Sequence, residues 1–231
     1  PFTVRLSDAS AWMVSSSFEE RSVALVASVL RASETRTMAA MMTTKIMKFP
    51  NWPHRGRRTV RVITPRAMRV LVTGASGYLG QHLLDHLATL GHELYAAYGS
   101  LDTFEADYGQ VCKKLFAVDL AAPAALQEML AEVQPEAVVH LAAISSPIAC
   151  DKDKDKAMAV NVPLGLLDAL PESATMIFLS TDQVYNGLAA PYSESSPAKP
   201  VNTYGQSKLA FEQVVPPATD KPRRHCALTS G

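Results

Sequence analysis

The sequence predicts a doubly wound α/β domain, in which a parallel sheet is covered by helices on both faces. Three observations carry this. Short apolar runs alternate with segments of helical spacing from Met68 onward. A glycine-rich turn follows the first of those runs. The chain has 231 residues, 48% hydrophobic and 19% charged, enough for one core and too few for two sizeable enzyme domains.

The elements follow in order. Arg69 to Thr73 is a short apolar run ending at Gly74, so it reads as a strand, and Tyr78 to Leu90 repeats apolar residues at helical spacing. Leu94 to Tyr98 and Leu115 to Val118 read as the second and third strands, and Ala124 to Val133 as a helix. Ala137 to Ala143 is apolar enough for a fourth strand buried on both faces. Met158 to Leu170 reads as a helix, Thr175 to Ser180 as a fifth strand and Tyr204 to Val214 as a further helix. His225 to Gly231 resembles the start of a sixth strand. Each parallel connection needs a crossover, which is what the intervening helices supply.

Zero net charge hides an asymmetry about Met68. Residues 1–67 hold 11 basic and 4 acidic side chains, a balance of +7 that the remainder offsets. Between Met38 and Ala67 there is no acidic residue and seven basic ones, the composition of a transit peptide. Residues 1–67 are therefore expected to be a disordered extension outside the core, either a plastid or mitochondrial leader or translated sequence foreign to the protein; without a leader, the cytoplasm is expected. Residues 68–231 form the expected domain. That domain offers no basic face for nucleic acid, and no apolar stretch approaches the ~18 residues of a membrane span. Cys112, Cys150 and Cys226 lack the spacing of a disulfide scaffold or zinc site and read as reduced thiols.

Gly74-Ala75-Ser76-Gly77-Tyr78-Leu79-Gly80 lies between the first strand and the first helix. Glycine at such a turn lets the backbone approach a pyrophosphate, whose charge is met by free N–H groups at the helix start. The spacing is G-x-x-G-x-x-G rather than G-x-G-x-x-G. With Thr73 in front, the motif resembles the cofactor loop of the extended short-chain dehydrogenase/reductase superfamily. Three further matches stand in the expected order: Val138-Val139-His140-Leu141-Ala142-Ala143, Leu179-Ser180-Thr181-Asp182-Gln183-Val184-Tyr185 and Tyr204-Gly205-Gln206-Ser207-Lys208. The resemblance covers about residues 68–215. Within the superfamily it is most like dTDP-4-dehydrorhamnose reductases and the related β subunit of methionine adenosyltransferase.

Tyr204 and Lys208 are four apart on a predicted helix, so they leave the same face. A phenol with a pKa of ~10 is a poor base near neutrality unless a cation favours its phenolate, and Lys208 can supply that charge. Thr181, at the carboxyl end of the fifth strand, can donate to a substrate oxygen. The resemblance assigns catalysis to Thr181, Tyr204 and Lys208. It assigns cofactor contacts to Gly74, Ser76, Gly77, Tyr78, Leu79, Gly80, Asp119, Leu120, Leu141, Ala142 and Ala143, with Tyr204 and Lys208 shared.

Asp119 is either the residue facing the adenine amino group or an N-cap for the next helix. Asn161 either backs the catalytic centre or is a simple polar helix residue. His140 is expected to pack beside the cofactor, and Asp151 to Lys156, alternating in sign, to be a solvated segment. No acid for the ribose hydroxyls sits at the end of the second strand, and no Arg for a phosphate. NADP is favoured narrowly over NAD, with Ser100 as a contact.

The family continues beyond the catalytic helix into a substrate domain, which this chain is expected to lack. Three readings remain open: NAD(P)-dependent reduction of a nucleotide-linked keto-sugar, for which this chain supplies the cofactor-binding part; non-catalytic dinucleotide binding beside an adenosyltransferase partner; and an inactive product of a truncated gene.

Overall fold

The structure, a computed structural model, describes residues 2–3, 66–99, 103–193, 196–215 and 224–228. In chain order the elements are β1 (Phe2–Thr3), β2 (Arg69–Thr73), α1 (Tyr78–Thr89), β3 (Glu93–Tyr98), α2 (Phe104–Tyr108) and β4 (Lys114–Ala117). Next come α3 (Pro123–Val133), β5 (Ala137–His140), α4 (Pro147–Lys152), α5 (Lys154–Asn161) and α6 (Leu164–Asp168). The last are β6 (Thr175–Leu179), a 3₁₀ turn (Asp182–Val184), α7 (Thr203–Val214) and β7 (Arg224–Leu228).

The strands form one sheet in the order β1-β7-β6-β5-β2-β3-β4, every pair parallel. The chain starts the main sheet in the middle, runs outward through β3 and β4, then returns to the other side of β2 with β5. The carboxyl ends of β2 and β5 therefore diverge at the point where strand order reverses, and such a crevice is where open α/β sheets bind ligands.

Side chains alternate across the sheet with period two. Val70, Val72, Ala96, Val139 and Ile177 face a core with Leu83, Leu84 and Leu87 of α1 and Phe104 of α2. Leu71, Val138, Met176 and Phe178 face the other, with Leu126 and Leu130 of α3, Leu166 of α6 and Phe211 of α7. Each fully buried Leu or Phe contributes about 1.5–3 kcal/mol of transfer free energy. α1 forms because its apolar residues recur at helical spacing, and the turn at Gly91 (φ 77°) ends the run. α3 opens with Pro123, whose missing N–H costs nothing in the first turn, and stops at left-handed Gln134.

The predicted strands and the main helices stand near their expected bounds, with four differences. The fourth strand ends at His140, so Leu141 to Ala143 are loop. The helix expected over Met158 to Leu170 is two, α5 and α6, because Pro163 has no N–H to donate and its ring clashes with the preceding turn. α5 starts early at Lys154, capped by Asp153, whose side chain accepts from Lys156 N. The short helices α2 and α4 lacked a readable period. The expectation that nothing before Met68 joins the fold is amended at Phe2–Thr3, which pair with the open edge of β7, and at Arg66, whose guanidinium pairs with Glu136. Positions 4–65 lie outside the described residues. Among the described residues no helix is long and apolar enough to cross a membrane. Cys112 and Cys150 are free buried thiols; the side chain of Cys226 is not among those described.

Candidate active site

The three glycines of the turn after β2 do different work. Gly74 has φ 68°, and a Cβ there would lie 2.5 Å from Ala142 N and 2.7 Å from Ala142 Cα. Glycine is required because the turn and the segment after β5 touch backbone to backbone, a contact continued by the bond from Leu141 N to Thr73 O (3.0 Å). A Cβ on Gly80 would lie 2.4 Å from Gly74 O and 2.6 Å from Ala75 O, so Gly80 lets α1 pack against its own turn. Gly77 is exposed, and a Cβ there would meet nothing nearer than Gly74 O at 3.2 Å. Its φ of −71° and ψ of 162° suit any residue. Protein packing thus forbids a side chain at Gly74 and Gly80, whereas at Gly77 a Cβ would make one tight contact, with Gly74 O, at the start of α1, where unpaired N–H groups favour an anion.

Thr181 follows β6 and Tyr204 lies in the first turn of α7. Both are held from several sides. Thr181 is 4% exposed, and its hydroxyl accepts from Gln183 N (3.2 Å), closing the 3₁₀ turn. Asn202 caps α7 by accepting from Gly205 N (2.7 Å) and donates to Gln183 Oε1 (2.7 Å). Asp151 accepts from Thr203 N (3.0 Å). The charged run is therefore not wholly a solvated segment: its first carboxylate anchors the start of α7, where free N–H groups and the helix dipole favour it. The Thr203 bonds in turn hold the Asp151 carboxyl below its ordinary range.

Gly205 sits against the 3₁₀ turn, and a Cβ there would lie 2.2 Å from Gln183 O and 3.0 Å from Pro200 Cβ. Gly205→Ala must push α7 off the turn that carries Thr181. The expected loss is about 1–3 kcal/mol, the usual cost of overpacking, read as a lower urea midpoint. An unchanged midpoint would show that the turn yields freely.

Asn161 is fully buried. It accepts from Ile144 N (2.7 Å) and donates to Ile144 O (3.1 Å) and to Ser207 Oγ (2.9 Å). It ties the segment after β5 to α7, behind Tyr204. Leu141, Ala142 and Ala143 begin that segment, beside the glycine turn.

The electrostatics of the pair differ from the sequence expectation. Tyr204 is pushed above its ordinary value, first by burial and next by the Cys150 thiol, while a hydrogen bond with Thr181 opposes the rise. Lys208 is not among the causes. Lys208 is 4% exposed, and burial brings its ammonium down to about 8 against the opposing charge of Glu212. His140, at the end of β5, lies with Nδ1 2.6 Å from Thr73 Oγ1 and with Nε2 buried and unpartnered. Burial, and then Lys208, bring it down to about 3, so it is a neutral ring packed 5.3 Å from Phe211.

Thr181 and Tyr204 therefore meet, Lys208 follows one turn along α7, and Ser76, Tyr78 and Leu79 stand in the glycine turn and the start of α1. Asp119 and Leu120 follow β4, beyond β3 from the glycine turn. Asp119 does not cap α3: the N-cap is Ala122, and Asp119 Oδ1 accepts from Ala121 N (2.9 Å) in a local turn. Ser100 lies outside the described residues. Sequence reasoning missed Gly205, Asp151 and Glu212. Of these Gly205 had a signal, a glycine in a first helical turn where an ordinary helix former would serve.

The profile of the NAD dependent epimerase/dehydratase family matches residues 70–227. A dTDP-4-dehydrorhamnose reductase of Burkholderia thailandensis is 35% identical over 152 residues, 64% of this chain and 45% of that protein. The methionine adenosyltransferase 2 subunit beta of Danio rerio is 29% identical over 159 residues, 68% of this chain and 44% of that protein. Among solved structures, the UDP-glucose 4-epimerase of Brucella ovis in complex with NAD superposes with a TM-score of 0.59 at 27% identity, covering 69% of this chain and 50% of that one. The chain spans about half the length of the curated relatives it matches.

Proposed function

Because the chain belongs to the NAD dependent epimerase/dehydratase family, we propose that it binds NAD(P) in the crevice between β2 and β5 and serves reduction of a nucleotide-linked keto-sugar. The observation that supports this is the glycine turn after β2, packed backbone to backbone against the segment after β5 at the sheet's switch point, with Gly77 exposed at the start of α1. The glycine turn fits a pyrophosphate, and Lys208, Leu141, Ala142 and Ala143 would hold the rest of the dinucleotide. Asp119 is proposed for the adenine end and Ser100 for a 2′-phosphate, which would favour NADP. The reduced nicotinamide, when bound, supplies a hydride.

The chain's own residues handle the proton. A phenol held above its ordinary value stays protonated at neutral pH, so Tyr204 Oη is suited to donate to an oxygen gaining negative charge. Thr181 Oγ1, whose single proton goes to Asp182 Oδ1 (3.2 Å) in the structure, would turn to donate it as a second hydrogen bond to the same oxygen. Asn161 holds the wall behind them. Fluorescence titration with NADH and NADPH tests the reading; failure to bind either would end it.

Tyr204→Phe removes the hydroxyl placed to give that proton. Loss of a general acid typically costs ~10²–10⁴ in rate, with cofactor affinity nearly unchanged because the ring remains. In a form that carries the substrate domain, NADPH consumption with a dTDP-4-keto-sugar measures it, and an unaltered rate there would remove Tyr204 from the chemistry.

The likeness to the Danio rerio β subunit favours a second reading, dinucleotide binding that serves an adenosyltransferase. Co-purification with such an enzyme, without keto-sugar reduction, would select it.

A further inference from the structure

The buried lysine needs an explanation the catalytic pair does not give. Tyr204, Lys208 and Glu212 recur every four residues along α7 and so form one stripe. Lys208 is 4% exposed, and an ammonium so buried is unstable unless a counter-charge is near. At the next turn the half-buried Glu212 accepts a hydrogen bond from Ser180 Oγ. Ser180 is also 4% exposed and immediately precedes Thr181. One carboxylate thus joins the catalytic helix to the strand end that carries the other catalytic hydroxyl.

We propose that Glu212 is a positioning residue for the cofactor site: through Ser180 it fixes α7 against the end of β6, and one helical turn beyond the buried Lys208 it supplies that ammonium with a counter-charge. The titratable groups around this stripe are Tyr204 and Glu212 on α7, His140 on β5, Cys150 on α4 and Asp182 in the 3₁₀ turn. Tyr204 and Cys150 are both pushed up and stay protonated at neutral pH, and His140 is neutral. Glu212 is the group whose charge opposes the effect of burial on Lys208. Its own carboxyl is pushed up by burial and held back by Ser180 and Lys208.

The proposal deepens the reading above, and its binding arm rests on it. NADPH fluorescence titrations of the full chain between pH 6 and 9 should show wild-type affinity falling above about pH 8, as Lys208 loses its proton. In Glu212→Gln, which keeps a partner for Ser180 but removes the charge, that fall should begin at least one pH unit lower. Binding near pH 7.5 would then weaken at least about 3-fold, with near-normal binding at pH 6, since a one-unit drop lowers the protonated fraction of the lysine at that pH from about three quarters to about one quarter. Glu212→Asp should restore the wild-type profile. Equal weakening at every pH would mean that Glu212 only holds the helix, and an unchanged profile that it does neither; either result overturns the proposal.

A second arm needs no cofactor, so it still decides if wild type binds none and the functional reading fails. A lysine whose folded-state value lies below its unfolded one binds fewer protons folded, so stability rises with pH through the folded-state value. Urea unfolding of Glu212→Gln should therefore show stability rising between pH 6 and 8 more steeply than wild type, and adding Lys208→Met should remove the excess. Parallel profiles would overturn the proposal. If Glu212→Gln does not fold, the double variant with Lys208→Met must fold, and its failure would count equally against it.

Discussion

Gly77→Val is expected to weaken NADPH binding at least ~100-fold while leaving the fold in place. The substituted side chain would stand exposed at the start of α1 with ordinary backbone angles, its one tight contact, Gly74 O at 3.2 Å, relieved by a shift of a few tenths of an ångström. An anion cradle depends on close approach of backbone N–H groups, so a branched side chain there removes the contact itself. Gly80→Val supplies the contrast. Its Cβ would lie 2.4 Å from Gly74 O and 2.6 Å from Ala75 O, so it should lower the urea midpoint as well as binding. Fluorescence titration beside urea unfolding separates the two. Unaltered affinity in Gly77→Val would place the dinucleotide elsewhere.

The second large effect is on acid stability. His140 is fully buried, with one ring nitrogen against Thr73 and the other unpartnered, and burial brings it down to about 3. Unfolded, it takes up a proton below about pH 6.5, which the folded state refuses until near pH 3. Between those limits the unfolded chain binds more protons, so stability is lost as pH falls, by up to about 1.4 kcal/mol per pH unit from this side chain. His140→Asn keeps a polar atom near Thr73 and cannot titrate. Its stability should fall less steeply than that of wild type from pH 6.5 to 4.5, measured by urea unfolding. Parallel slopes would mean that His140 gains its proton while folded.

The strands beside the switch point could be read because β2, β5 and β6 are apolar runs buried on both faces, and α1 and α3 because their apolar residues keep one period. The cradle and the Tyr204–Lys208 pair are local in sequence and equally readable. What escaped depends on distant partners. Ser180 and Glu212 are 32 residues apart, and Asp151 meets Thr203 across 52, so nothing in either neighbourhood announces the contact. Spacing shows that Lys208 shares a helix face with Tyr204, but burial, the largest cause of the raised Tyr204 phenol, is a property of the packed fold. Pro163 was a local signal, and it divides a helix that apolar spacing alone makes continuous.

The strand order also separates the site in time. β2 and β3 close over a short stretch, with Met68 meeting His92 across 24 residues, whereas Thr73 meets His140 across 67. Closing the longer loop costs more chain entropy and is slower. During synthesis the glycine turn and its α1 platform emerge with β2, α1 and β3, well before β5 delivers the segment against Gly74 or α7 delivers Tyr204. A nascent chain would carry half a cradle, with the Gly74 backbone and the edge of β2 still unpaired. Ligand capture then becomes a late event that reports completed assembly, and slow docking of β5 onto β2 is the step at which a growing chain is most exposed to wrong edge pairing.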